Sequence, residues 1–122
     1  MMFGPQRWLM DTGSPVDLVG KNDIPAKYLE SNSKDSDFHV TLNTANGATT
    51  ADKVLPLQVA PLGESVSPLI LEESPAVLSI GRRCMLDGYE FHWPKYKKPY
   101  LISPNGYRIE LEVENFVPYL RE

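Results

Sequence analysis

Apolar and polar residues alternate most regularly in YRIELEVE, where Tyr107, Ile109, Leu111 and Val113 fall on one side and Arg108, Glu110, Glu112 and Glu114 on the other. A period of two belongs to a half-buried strand, so 107–114 is predicted to be one antiparallel strand with its apolar residues inward. Just before it, Asn105-Gly106 separates two apolar segments, and these residue types accept the positive φ of a tight hairpin turn. A second hairpin is predicted in FHVTLNTANGATTADKVLPLQV, where Phe38, Val40 and Leu42 alternate with His39, Thr41 and Asn43 ahead of Asn46-Gly47. Two short helical turns are predicted, PAKYLES from 25 with proline at a first-turn position, and GRRCML from 81. The 11 prolines are scattered so that few windows hold a helix of ordinary length, and the chain therefore reads as all-β. No internal repeat stands out, and Ser31 to Asp37 is the most loop-like stretch.

One short segment breaks the pattern. In WLMDTGSPVDLVG an Asp-Thr-Gly lies between two apolar runs, and an ionised carboxylate desolvated there costs several kcal/mol unless it is bonded or paired. Trp8, Leu9 and Met10 predict a buried strand and Thr12-Gly13 a turn, which would leave Asp11 at the end of a core strand with its carboxylate facing a cavity, a position suited to general acid or base work. Seventy residues on, AVLSIGRRCML repeats the arrangement of an apolar strand running into glycine and a short helix.

Composition narrows the function classes. At 122 residues the chain is read as one domain, 1–122, able to bury a core without staples. A single cysteine, Cys84, and the lack of a charged-then-apolar leader pattern point to a reducing intracellular setting, and no apolar run reaches membrane-spanning length. A net charge of −4 gives no electrostatic reason to expect nucleic acid, and the cluster Lys95, Lys97, Lys98 with Tyr96 and Tyr100 reads as a solvated loop. His39, His92 and Cys84 lack ligand spacing, so neither metal nor cofactor is expected, and neither histidine is placed by a motif to activate Ser14 as a nucleophile.

WLMDTGS, the hairpin segment and LSIGRRCM stand in the order and rough spacing found in retroviral-type aspartic proteases, and GYEFHWP with NFVPYL resembles the protease region of copia-type retrotransposon polyproteins. The resemblance covers about residues 6–93, with 94–122 as a C-terminal hairpin extension. It implies a small closed β-barrel with a flap hairpin and one or two short helices, working in the cytoplasm or in virus-like particles as a homodimeric endopeptidase that processes a polyprotein. By the same resemblance Asp11 is the catalytic carboxylate, Thr12 grips the partner loop, Gly13 lets the backbone approach substrate, and the Ser14 hydroxyl bonds Asp11. Thr44, Ala45, Asn46 and Gly47 would form the flap tip, and Ser79 and Ile80 would line a substrate pocket. Gly81 and Arg82 would brace the catalytic loop, the arginine pairing with Asp17 because Pro15 and Val16 stand where retroviral members carry aspartates.

The chain holds one Asp-Thr-Gly, whereas water activation between two carboxylates that share a proton needs two; a twofold axis would supply the second. The implied partners are therefore a second copy and a peptide substrate, with no membrane. The alternative is a catalytically silent β-barrel serving as a dimerisation or peptide-binding module.

Overall fold

The computed structural model describes residues 4–44 and 47–122. Strands hold 45% of the chain and helix 17%, which bears out the all-β class. In chain order the elements are β1 (Arg7–Asp11), β2 (Leu18–Gly20), α1 (Ala26–Asn32), β3 (Lys34–Thr44), β4 (Gly47–Val54), β5 (Leu57–Val59), β6 (Glu64–Val66) and β7 (Leu69–Leu71). They continue with β8 (Val77–Ser79), α2 (Ile80–Met85), β9 (Glu90–His92), β10 (Tyr100–Ile102), β11 (Arg108–Glu110), β12 (Glu112–Glu114) and β13 (Val117–Arg121). Both helices fall where the sequence predicts them. Pro25 precedes α1, where its missing N–H costs nothing, and the Ser79 hydroxyl caps α2 by accepting from the Arg82 amide at 3.2 Å.

Eight strands form one mixed sheet in the order β12-β13-β1-β8-β2-β7-β4-β3, flanked by a three-stranded sheet (β11-β10-β9) and a two-stranded ribbon (β5-β6). The closed barrel is a correction: among the described residues β12 and β3 are not bonded to each other, and the sheet stays open. Closure needs hydrogen bonds between the first and last strands of the order, and here one edge is the short β12 and the other is an arm of the long β3–β4 hairpin.

The larger of two apolar clusters among the described residues spans the chain. Trp8 and Met10 of β1 pack with Val19, Ile70, Leu78 and Leu120 of the main sheet, Leu57 and Val59 of the ribbon, and Leu101 of the three-stranded sheet. Residues 94–122 are thus integral: β13 pairs with β1 along Arg7↔Arg121, Trp8↔Leu120 and Leu9↔Tyr119. Tyr89 is part of this core, and burial together with the Glu64 carboxylate that its hydroxyl bonds pushes its pKa up to about 12 from 10.0. The folded state thus holds a proton that the unfolded chain gives up. Stability from Tyr89 is complete below pH 10 and falls, by at most about 1.4 kcal/mol per pH unit, as pH rises towards 12. Denaturant midpoints measured from pH 9 to 12 should show this decline, and Tyr89→Phe should flatten it.

The single strand predicted over 107–114 is corrected to two. The Asn105-Gly106 turn forms as predicted, closed by Gly106 N–H donating to Ser103 O, but the chain changes sheets at Leu111, whose amide bonds Pro99 O. Leu111 is fully buried at that crossing and Ile109 half-buried, while Tyr107 and Val113 face solvent. β12 and β13 then join through Asn115 and Phe116, at φ 52° and 67°. A hairpin turn with two positive φ values suits Asn-Gly, and Phe116 is strained there with its ring 92% exposed. Phe116→Gly should therefore stabilise the fold by about 0.5–1 kcal/mol, read as a rise in thermal midpoint.

Candidate active site

The Asp-Thr-Gly turn exists because of how β8 is flanked. β1 runs parallel to β8 (Met10↔Leu78, Asp11↔Ser79), and β2 runs antiparallel to it on the other side (Leu18↔Val77). Residues 12–17 must therefore cross over the C-terminal end of β8, where α2 begins. β8 is buried at all three positions, so groups at its end cannot rely on water for hydrogen bonds.

Asp17 fills that need. Its Oδ1 accepts the Ser79 amide at 2.8 Å, and its Oδ2 accepts from Arg83 Nη2 at 2.8 Å. Arg83 Nε also lies 3.0 Å from Asp87 Oδ2, off the line of its N–H. Asp17 and Arg83 are both buried, so the pair ties the crossing loop to α2 from inside the protein. The expected partner of Asp17 was Arg82, and the structure corrects this to Arg83. Successive residues of a helix point about 100° apart, so only one arginine could turn inward. Arg83 shares the inner face with Ile80, three residues earlier, whereas Arg82 is half-buried and Gly81 exposed. The i, i+3 spacing from Ile80 was the signal that would have found it.

Asp11 is placed differently from the expectation as well. Strand alternation sends Trp8 and Met10 into the core and leaves Asp11 half-exposed on the opposite face, so the carboxylate is not desolvated. Its Oδ1 accepts the Gly13 amide at 2.7 Å. A Cβ on Gly13 would stand 3.2 Å from that same oxygen, so a side chain would crowd the bond. The Ser14 hydroxyl donates to Val16 O at 2.6 Å rather than to Asp11, a bond two residues ahead that closes the turn on itself. Thr12 and Gly13 are exposed.

Two hollows border this turn. The first, about 550 Å³ and open, is lined by Thr12–Pro15, Ser79, Gly81 and Arg82, with Met85 and Leu86 at its rim exposed by 85% and 67%. The second, about 450 Å³, lies between Val16-Asp17 and the base of the β3–β4 hairpin at 34–37 and Val54. Arg82 lines both. Ile80, expected in a substrate pocket, is instead in the core, while Ser79 contributes to the first hollow.

The hairpin joins the main sheet at its base, through Val54↔Leu69, and there Ala51 and Val54 pack with Val16, Leu18, Leu69 and Leu71. A register shift between Asp35 and Val40 precedes the regular ladder that runs to Thr44↔Gly47. Of the expected tip, Thr44 and Gly47 end their strands, and Ala45 and Asn46 lie outside the described residues.

Among the described residues no three His, Cys, Asp or Glu side chains are grouped to hold a metal ion, and no helix is long and apolar enough to cross a membrane. Lys95, Lys97 and Lys98 are exposed on their loop, with Lys95 Nζ 5.2 Å from the Tyr96 ring. A scan against protein-family models finds no match, and a search of curated proteins finds none either.

Proposed function

We propose that the protein is an aspartic endopeptidase of the retropepsin type, active as a homodimer that carries one Asp11 per subunit. The observation that carries this reading is the Asp11 turn: a half-exposed carboxylate at a strand end, held by the Gly13 amide and followed by Thr12–Pro15, which share a hollow with the exposed apolar pair Met85 and Leu86. An exposed Met-Leu pair flanking a polar turn favours burial against another surface, and a second copy of the same turn is the surface that would complete a two-carboxylate site. The base of the β3–β4 hairpin, where Ala51 and Val54 pack with Val16 and Leu18, supports the reading, since a flap would spring from beside the turn.

In the proposed reaction the two Asp11 carboxylates share one proton and a water. The ionised partner takes a proton from the water as its oxygen attacks the peptide carbonyl, and the protonated partner donates to the carbonyl oxygen. As the tetrahedral intermediate collapses, the first carboxyl gives its newly gained proton to the leaving nitrogen, the second carboxylate takes a proton from a gem-diol hydroxyl, and the C–N bond breaks to leave an acid, an amine and the dyad with one proton. Gly13 keeps each carboxylate oriented by its amide. The test is hydrolysis of a peptide library, inhibited by a statine-containing peptide that mimics the tetrahedral intermediate. Specific activity should fall on dilution as dimers separate. Binding of the statine peptide without cleavage of any library member would favour the silent peptide-binding module instead.

A further inference from the structure

We infer that Arg82 reads an acidic side chain of the substrate next to the scissile bond, so that the enzyme is selective for peptides carrying Asp or Glu there. This rests on the protease reading and adds the substrate class to it. Arg82 is half-buried and lines both the open hollow over Thr12–Pro15 and the cleft beside the hairpin base, two spaces bordered by the loop that follows Asp11 and open to the flanking residues of a bound peptide. It is the one charged residue among those lining the open hollow. Its amide is used, donating to the Ser79 hydroxyl, but among the described residues its guanidinium forms no ion pair or hydrogen bond.

Of the four carboxylates that line that cleft three are already engaged, and the fourth, Asp37, is exposed on the hairpin arm with no bond to Arg82 among the described residues. Asp17 and Asp87 are taken by Arg83, and Asp35 pairs with Lys53. The buried Asp17–Arg83 pair thus braces the loop and leaves Arg82 without that duty. A guanidinium presents a planar fork of donors matched to a carboxylate, and in a partly water-excluded cleft such a pair is stronger than on the open surface. A ligand carboxylate is the group that satisfies it. The neighbouring hydroxyl of Ser14 donates to Val16 O, so it does not compete for that carboxylate.

The experiment compares matched peptides with Glu or Gln at each position flanking the cleaved bond. Wild-type protein should cleave one Glu peptide faster than its Gln twin by about tenfold or more in kcat/KM, and Arg82→Gln should bring that ratio close to one. Arg82→Lys should restore part of the preference, and Arg82→Glu should shift it towards Lys at the same position. Affinities of statine-containing Glu and Gln peptides, measured alongside by calorimetry, should show the same ratio and the same loss. Cleavage with no Glu-over-Gln preference at any position would overturn this inference and leave the protease reading standing. Absence of cleavage would overturn the protease reading, and the inference would fall with it if the two statine peptides also bound equally. A preference that survives Arg82→Gln, with a solution mass that drops towards the monomer, would assign the guanidinium to the subunit contact and overturn the inference.

Discussion

In the proposed homodimeric protease, Asp11→Asn should lower peptide hydrolysis by at least about 10³-fold while leaving the fold and the subunit contact intact. Asparagine keeps the shape of the side chain and an oxygen able to accept the Gly13 amide, so the turn has no reason to open. What it loses is the group that gives up and takes back a proton. The half-exposed position of Asp11 makes the substitution cheap for the fold, since no buried charge is created or stranded. Mixing is the sharper form of the measurement. At a threefold excess of Asp11→Asn chains, an active chain meets another active chain about one time in four, so activity per active chain should fall to about a quarter. Activity proportional to the active chains present, with no poisoning, would show that each chain carries a complete site and would contradict the shared dyad.

The second large effect is on stability. Arg83→Met should destabilise the fold by about 3–5 kcal/mol, because it strands the buried Asp17 carboxylate with only the Ser79 amide as partner. For a domain of this length that loss is a large part of the whole, and the thermal midpoint should drop by roughly 10–25 °C. Adding Asp17→Asn to Arg83→Met should recover part of the loss, since asparagine removes the unpaired charge yet still accepts the Ser79 amide. Arg82→Met, one residue away, should cost under about 1 kcal/mol because its guanidinium forms no bond among the described residues. Equal losses for the two arginines would contradict the pairing seen here. The comparison is best made by denaturant unfolding at neutral pH.

The adjacent arginines also show where sequence patterns stop being informative. Periodicity and turn chemistry are local, and they located both helices, the Asn105-Gly106 turn, the paired arms of the hairpin from residue 38 onward and the Asp11 turn at the end of β1, whereas 31–37, read as loop, holds the end of α1 and the start of β3. Which arginine reaches Asp17 depends on how α2 is rotated against the end of β8, a tertiary matter that Gly81-Arg82 as a motif does not encode. The same holds for 107–114. Its alternation is regular enough for one strand, but alternation does not say which sheet each half joins, and a bond from Leu111 to Pro99 divides it. Asn115-Phe116 was illegible for a different reason: an aromatic residue is a poor guide to a positive φ, and only the pairing of β12 with β13 forces that conformation. Ser14 was expected to bond Asp11, whereas the nearer carbonyl of Val16 claims its hydroxyl.

The placement of β1 sets a timetable for the molecule. Leu9 is paired with Val77 on one side and Tyr119 on the other, partners that follow it by 68 and 110 residues. During synthesis the segment bearing Asp11 precedes both of its strand partners, and β1 lacks one of its two neighbours until residues 117–121 have left the ribosome. Closing loops of that length comes before any reward from the contacts they enable, which puts folding in the slow range of milliseconds to seconds. The Asp11 turn is therefore set only when the whole domain is, and a chain stopped before β13 would carry the full Asp-Thr-Gly motif without the strand pairing that fixes it in place.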